Sequence, residues 1–470
     1  MINSQLDSFK DIYLIAIGGT GMTALAGMLK ARGFSVRGSD QNLYPPMSEV
    51  LQQMDIPVYE GFDAQHLDPN PDLVVIGNCI SRGNPEVEAV LANKMNYLSL
   101  PEALKEFFIR SRYSCVVAGT HGKTTTSAML SWVLENAGRD PGFFIGGIPE
   151  NFGSGFKLGK GEVFVSEGDE YDSAFFDKSS KFLHYLPDLV ILNNIEFDHA
   201  DIFRNMEDVV ISFRRLINLI PGNGYLIACH DDATVVELSQ KAFSKVVTFG
   251  LAAEADWSAQ NLVSNESRTT FDVYYQNNLV EQFEVPLHGA HMVTNCLGVI
   301  AAGQALGLTL PELKDGLLSF KNVKRRLQFK GELNNIKIYD DFAHHPSEVK
   351  ATLNGFRSRF PNRRIWAVLE PRTATSKRKI FEDEFAQAFD AADHVIITPL
   401  HLPEKVPAGE RLSVEKIIRY LNDQNKPSWT LPANAEMVQF LAEQLQPEDA
   451  VLFMSNGDFN HVISKLLNTI

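Results

Sequence analysis

Cysteine is scarce: the 470-residue chain has four, Cys79, Cys115, Cys229 and Cys296, scattered with no C-x-x-C pair and no metal-ligand spacing. That excludes a disulfide scaffold and a cysteine-held metal centre. Each thiol is expected to be a small buried hydrophobe in a reducing compartment. Long apolar runs are also missing. The longest are strand-sized, such as Leu189–Leu192, against the roughly 20 residues of a membrane helix. Residues Met1–Lys10 have neither a basic segment nor an apolar one, so no signal peptide is expected and the expected location is cytoplasmic. Positive charge is in deficit, with 43 Lys and Arg against 58 Asp and Glu and a formal net charge of −15. No nucleic-acid partner and no membrane partner are expected. A local cationic pocket for an anionic substrate stays open. Neither internal repeats nor low-complexity tracts occur.

What remains is an ordinary globular composition, 44% hydrophobic and 21% charged, in a chain long enough for about three domains. Strand and helix signals alternate almost throughout, which predicts an α/β fold with mainly parallel sheets. A boundary falls near Arg110–Ser114 and a third unit begins around Arg326. The expected domains are a Rossmann-like 1–111, a central P-loop ATPase domain 112–324, and a Rossmann-like 325–470. Within the central domain, Trp257–Val285 is rich in Thr, Val, Tyr and Phe with turn residues at Asn277–Asn278. It reads as a small antiparallel insert.

The strand Cys115–Ala118 runs into Gly119-Thr120-His121-Gly122-Lys123-Thr124-Thr125 and then a helix expected over Ser127–Asn136. A strand, a glycine turn and a helix N-terminus aim backbone N–H groups and a positive dipole end at an anion. Lys123 adds a point charge for the outer phosphates of ATP, and Thr124 a hydroxyl for Mg²⁺. The strict G-x-x-x-x-G-K-[ST] pattern fails because Val117 stands where its first glycine would be. Functional residues of parallel sheets gather at strand carboxyl ends. Glu167, ending the strand Val163–Ser166, and His199, following Leu189–Asn193, are therefore the candidate metal ligands beside Thr124. The blander explanations are a solvated acidic turn for Glu167–Glu170 and a capping or core histidine for His199.

A second loop, Gly18-Gly19-Thr20-Gly21-Met22-Thr23-Ala24, follows Ile17, and Asp40 comes 40 − 21 = 19 residues after Gly21. Read alone, this fits a dinucleotide fingerprint and an NAD-dependent oxidoreductase. The same loop will hold any diphosphate, including that of a UDP-sugar. In the last unit, the strand Ile336–Tyr339 ends in Asp340-Asp341-Phe342-Ala343-His344-His345-Pro346. The strand Ile365–Leu369 leads to Arg372, Lys377, Arg378 and Lys379. Arg372 suits a substrate carboxylate, because guanidinium binds carboxylates bidentately. The run of cations also has a plain explanation as a solvated helix face.

Taken in order, several pieces resemble the Mur ligase family, which joins amino acids or peptides to UDP-N-acetylmuramic acid. They are Gly119–Thr126, Glu167, Asn193-Asn-Ile-Glu-Phe-Asp-His-Ala-Asp201, His291 with Asn295, Arg325-Arg326, and Asp341-Phe-Ala-His-His-Pro346. The wording of Tyr44–Ser48, Gly168–Lys178, Glu370–Arg372 and Met454–Gly457 is most similar to the branch that adds L-Ala-γ-D-Glu-meso-diaminopimelate tripeptide in peptidoglycan recycling. The alanine-adding branch is the nearest alternative. The resemblance implies that Gly18–Met22 holds the UDP diphosphate, with Asp40 near the nucleoside and His121 facing the sugar. It implies that Gly119–Thr125 binds ATP, with Lys123 at the β/γ-phosphates, Asn295 at adenine and Arg326 at the phosphates. It further implies that Thr124, Glu167 and His199 serve Mg²⁺, and that Asp341, His344 and Arg372 belong to the peptide side. Lys123, Glu167, His199 and Arg326 are then the catalytic set.

Two positions depart from the family pattern. The stretch Ser212-Phe-Arg-Arg215 stands where several branches carry a carbamylated lysine, and Met292 replaces an amide in H-N-x-x-N. A non-catalytic nucleotide-binding module is the remaining alternative class, and turnover separates it from a ligase.

Overall fold

The computed structural model describes residues 8–44 and 47–469. Residues 1–7 of the N-terminal reading and Pro45–Pro46 of the Tyr44–Ser48 wording lie outside the described residues. The chain packs as two compact units. The first comprises residues up to Glu196 with Met206–Trp257 and Leu297–Leu317; the second comprises Phe197–Asn205, Ser258–Cys296 and the chain from Leu318 onward. Among the described residues no helix is long and apolar enough to cross a membrane.

In the first unit, β1 (Asp11–Ile15), β2 (Ser35–Asp40), β3 (Val58–Glu60), β4 (Leu73–Ile76) and β5 (Tyr97–Ser99) form a sheet in the order β3-β2-β1-β4-β5. All its pairings are parallel. Helix α1 (Thr20–Ala31) follows β1 directly. The side chains of Tyr13, Ile15, Val74, Ile76 and Val87 pack into one core on this sheet. The order reverses between β1 and β4, which is the topological switch of an open nucleotide-binding sheet.

A second sheet of this unit contains β6 (Tyr113–Ala118), β7 (Gly142–Phe144), β8 (Phe156–Lys157), β9 (Val163–Gly168), β12 (Leu189–Leu192), β13 (Tyr225–Cys229) and β14 (Lys245–Gly250). They lie in the order β14-β13-β12-β6-β9-β7-β8, parallel except for β7 with β8. Near-continuous apolar runs such as Val-Val at 116–117 and Leu-Val-Ile-Leu at 189–192 are what a strand covered on both faces requires. Between them, β10 (Asp172–Ala174) and β11 (Asp177–Ser180) make a small antiparallel hairpin. Helix α2 (Lys123–Asn136) leaves β6 through the glycine loop and starts four residues before the expected Ser127.

The second unit contains β15 (Trp257–Ser264), β16 (Thr269–Tyr275) and β17 (Asn278–Val285), with β16 and β17 antiparallel. Their tight turn is Gln276–Asn277, one residue before the expected pair, with φ of 48° and 64°. Helix α3 (Ala290–Ala305) follows in the chain, and its part up to Cys296 belongs to this unit. A six-stranded sheet is built from β18 (Gln328–Leu333), β19 (Ile336–Asp341), β20 (Arg364–Leu369), β21 (His394–Ile397), β22 (Ser428–Thr430) and β23 (Asp449–Met454). Its order is β18-β19-β23-β20-β21-β22. Only β18 with β19 is antiparallel. Period-two alternation divides its side chains between two cores. Ile365, Ala367, Leu369, Leu452 and Met454 face one, and Trp366, Val368, Val451 and Phe453 face the other. Helix α4 (Pro346–Arg359) is capped by His345 with Glu348 in a reciprocal capping box, and proline stands in its first turn.

Of the cysteines, Cys115, Cys229 and Cys296 are buried as expected, but Cys79 is exposed. It sits in the turn after β4, beyond the end of the buried strand.

Candidate active site

The loop between β6 and α2 owes its shape to two glycines. Gly119 has φ +138°, and a Cβ there would lie 3.0 Å from the backbone N of Asn194. Gly122, the N-cap of α2, takes φ +80°. Neither conformation suits an L side chain. Asn194 braces the turn from the end of β12: its carbonyl accepts from Thr120 N at 3.0 Å and its Oδ1 from His121 N at 2.7 Å. The first bond of α2 at this end runs from Thr126 N to Gly122 O at 3.0 Å. The N–H groups of Lys123, Thr124 and Thr125 therefore have no intrahelical acceptor and point forward with the positive dipole end. A helix end of this kind can receive the oxygens of an anion such as phosphate.

Lys123 folds back over the loop. Its ammonium donates to Gly119 O at 2.7 Å and Thr120 O at 2.9 Å, and lies 2.8 Å from Oε2 of Glu170. Burial works against the ammonium, but Glu170 and Asp169 outweigh it and hold the Lys123 pKa above the usual lysine value. Glu170 is itself only 2% exposed. The acidic stretch is therefore a paired network, buried at Glu170, and not a solvated turn. Its Asp169 pairs with Lys181 at 2.6 Å, and although burial raises the Asp169 carboxyl, Lys181 and Lys123 bring it down to about 2.

Glu167 lies inside β9, whose register sets it beside Val117 of β6. Its Oε1 accepts from the Thr124 hydroxyl at 2.6 Å and its Oε2 from Gly146 N at 2.7 Å. A hydroxyl and a carboxylate held together ahead of this helix end are the hard oxygen donors that Mg²⁺ takes. Thr125 is buried, and His121 Nε2 lies 3.3 Å from Glu196 Oε2.

The N-terminal loop is tighter than its sequence suggests. Thr20, Gly21 and Met22 already belong to the first turn of α1, capped by Gly19, and Met22 is buried. Gly18 N donates to Asp40 Oδ2 at 2.8 Å, so Asp40 fixes the loop directly. Asp40 also lines an open cavity of about 560 Å³ with Asn42, Leu43 and Tyr59.

In the second unit, His199 takes φ +56° and its N–H donates to Asp198 Oδ1 at 2.7 Å. Burial raises the Asp198 carboxyl, but His199 and His344 outweigh it and keep its pKa below the usual carboxylate range. Arg326 stands between two non-glycine residues with positive φ, Arg325 at 61° and Leu327 at 43°. Its guanidinium lies over the Phe342 ring at 5.4 Å. Burial first and Arg326 second push the His291 pKa down to about 4, so this histidine is neutral. Asn295 and Met292 are both buried on α3; the methionine sits where the family pattern has an amide.

Asp341 is 2% exposed and spends its oxygens on backbone, accepting from Leu327 N at 2.7 Å and Ala343 N at 2.8 Å. Burial pushes its pKa up to about 6, against the pull of Arg326 and the two N–H donors. His344 Nδ1 lies 3.0 Å from Phe342 O. Arg372 reaches Glu370 Oε1 and His401 Nε2, each at 3.5 Å, and packs against Gly457. The cationic run beyond it is not a helix face. Lys377 is 4% exposed and donates to His401 O at 3.2 Å.

Three residues were missed by reasoning from the sequence. Glu170 reads only as part of an acidic turn and Asn194 only within the Asn193–Asp201 piece of the resemblance, neither with a role of its own, and only the fold brings them to Lys123 and His121. Arg325 donates to Ser455 O at 2.6 Å and to Gly457 O, and pairs with Asp340 at 3.2 Å. Its polar surroundings come from two strand ends far apart in sequence, those of β19 and β23.

Family models match most of the chain: a Mur ligase family catalytic domain over residues 11–112, a Mur ligase middle domain over 117–303, and a Mur ligase glutamate ligase domain over 325–457. The chain belongs to the Mur ligase family. This Mur ligase is 40% identical over 460 residues to the UDP-N-acetylmuramate–L-alanyl-γ-D-glutamyl-meso-2,6-diaminoheptandioate ligase of Escherichia coli K12, covering 97% of each chain. It is 35% identical to a UDP-N-acetylmuramate–L-alanine ligase of Acetivibrio thermocellus, over 96% of this chain and 94% of that one. The crystal structure of a murein peptide ligase from Psychrobacter arcticus superimposes with a TM-score of 0.71 at 34% identity, covering 98% of each chain. The fold class expected from the sequence, three α/β domains with mainly parallel sheets, is that of the family.

Proposed function

We propose that this Mur ligase joins L-alanyl-γ-D-glutamyl-meso-diaminopimelate to UDP-N-acetylmuramate, consuming ATP and releasing ADP and phosphate, in peptidoglycan recycling. The observation that carries the tripeptide assignment is the 40% identity, end to end, to a ligase named for that peptide, against 35% to one named for L-alanine. The domains act as a UDP-sugar-binding 1–111, an ATP-binding 112–324 and a peptide-binding 325–470. The glycine cradle at Gly119–Thr125 with Lys123 supports ATP binding, and the Thr124–Glu167 oxygen pair supports a Mg²⁺ role, to which the family resemblance adds His199. The ion neutralises phosphate charge when bound.

A carboxylate oxygen of the lactyl group attacks the γ-phosphorus, and the bond to the ADP oxygen breaks, leaving an acyl phosphate. The α-amine of the peptide then attacks the acyl carbon and loses a proton, and phosphate departs as the amide forms. No enzyme nucleophile takes part. Lys123 and Arg326 supply positive charge, and the loop N–H groups position the nucleotide. Gly18–Met22, Asp40 and His121 serve the UDP-sugar, Asn295 the adenine, and Asp341, His344 and Arg372 the peptide side.

An assay of ADP release with UDP-N-acetylmuramate and a panel of amines tests this reading. Release is expected with the tripeptide and not with L-alanine; the reverse pattern assigns the chain to alanine addition.

A further inference from the structure

In the second unit, the segment Phe197–Asn205 and the stretch around Arg378–Ile380 line an open cavity of about 300 Å³. Ala200 N donates to Thr375 Oγ1 at 3.4 Å and ties the two together. The wall is apolar at Phe197, Phe203 and Ile380, cationic at Arg204, Arg378 and Lys379, and acidic at Asp201 and Glu410. Arg378 is committed on one side, with its Nη1 2.5 Å from Glu410 Oε2. Its Nε is buried and makes no hydrogen bond, an uncommon state for a guanidinium nitrogen.

The mixture of charges selects among ligands. A polyanion would meet Asp201 and Glu410, and a purely apolar group would make no use of the charged part of the wall. A short aliphatic stem ending in one carboxylate and one ammonium satisfies every part of the wall. Resting on the tripeptide reading above, we propose that this cavity seats the far end of the meso-diaminopimelate residue. Arg204 and Lys379 hold its carboxylate, and Asp201 and Glu410 hold its ammonium. The chain thereby recognises the residue that distinguishes this peptide from one ending in lysine, which keeps the ammonium and lacks the carboxylate.

Ligation kinetics with L-Ala-γ-D-Glu-meso-diaminopimelate and with L-Ala-γ-D-Glu-L-Lys test the proposal. The wild-type chain is expected to favour the first, and Arg204→Gln with Lys379→Gln to lower the ratio of the two kcat/KM values about tenfold, through KM for the diaminopimelate peptide. Lys379→Gln alone, at an exposed position, is expected to move the ratio the same way by a smaller factor. An unchanged ratio, or an equal loss for both peptides, overturns the assignment while leaving the ligase reading intact. A wild-type chain that ligates neither peptide overturns both.

Discussion

Lys123 carries its positive charge into a site only 12% exposed, and Glu170 at 2.8 Å is what makes that tolerable. Removing one partner of a buried pair leaves an uncompensated charge, a change that typically costs about 3–5 kcal/mol. Glu170→Gln keeps the shape and removes the charge, so the nucleotide-free protein is expected to unfold at a lower temperature than wild type. If Lys123 meets phosphates, MgATP replaces the missing negative charge, and the variant gains more thermal stability from nucleotide than wild type does. Equal nucleotide-induced shifts in melting temperature would count against Lys123 as the phosphate ligand. Gly119 is governed by backbone and not by charge. With φ at +138° and Asn194 N at 3.0 Å from a would-be Cβ, Gly119→Ala is expected to cost about 1–3 kcal/mol and to lower ATP turnover.

At the scale of elements, Arg325 adds side-chain bonds between the ends of two strands that are neighbours in the sheet. It reaches Asp340 at the end of β19 and the carbonyls of Ser455, Asn456 and Gly457 after β23. Arg325→Ala removes the ion pair and leaves those carbonyls to water; the expected loss is about 2 kcal/mol, discounted for partial exposure and read as a lower urea midpoint. A change within a few tenths would show that the strand ends hold without it. The strands themselves were legible in the sequence wherever burial on two faces demanded an unbroken apolar run, as at Leu189–Leu192 and Val451–Met454. The hairpin of β10 and β11 was not, because Asp-Ser-Ala and Asp-Lys-Ser-Ser have no apolar alternation to mark them. The start of α2 at Lys123 was also hidden. Threonines are poor helix formers, and here Gly122 at φ +80° turns the chain into the helix before propensity would allow it. The glycine loop between β6 and α2 was readable because its residues are contiguous. The pairing of Lys123 with Glu170, 47 residues away, depends on two strands being neighbours.

For the molecule as a whole, the second unit carries opposed titrations whose balance sets its response to acid. Burial holds His288 near 4, with Arg359 adding to the effect, and His291 is held near 4 by burial and Arg326. The unfolded chain takes up these protons near pH 6.5 and the native one does not, so stability is full above that pH and falls as pH drops toward 4. Between pH 7 and 5 the loss is about 2 kcal/mol per histidine. Asp341 acts the other way. Its pKa of about 6 means the native chain keeps a proton that the unfolded chain gives up near 3.8, which returns about 1 kcal/mol over the same interval. His394 and His401, both held low chiefly by burial, add to the loss. The second unit is therefore expected to be roughly 2–3 kcal/mol less stable at pH 5 than at pH 7. His288→Gln is the discriminating variant, because glutamine can keep the 3.0 Å bond from His288 Nε2 to Asn265 O without titrating. Urea unfolding at the two pH values should show the gap narrowed by about 2 kcal/mol in that variant. A gap as wide as in wild type would mean that His288 protonates in the native state and that its burial does not govern the acid response.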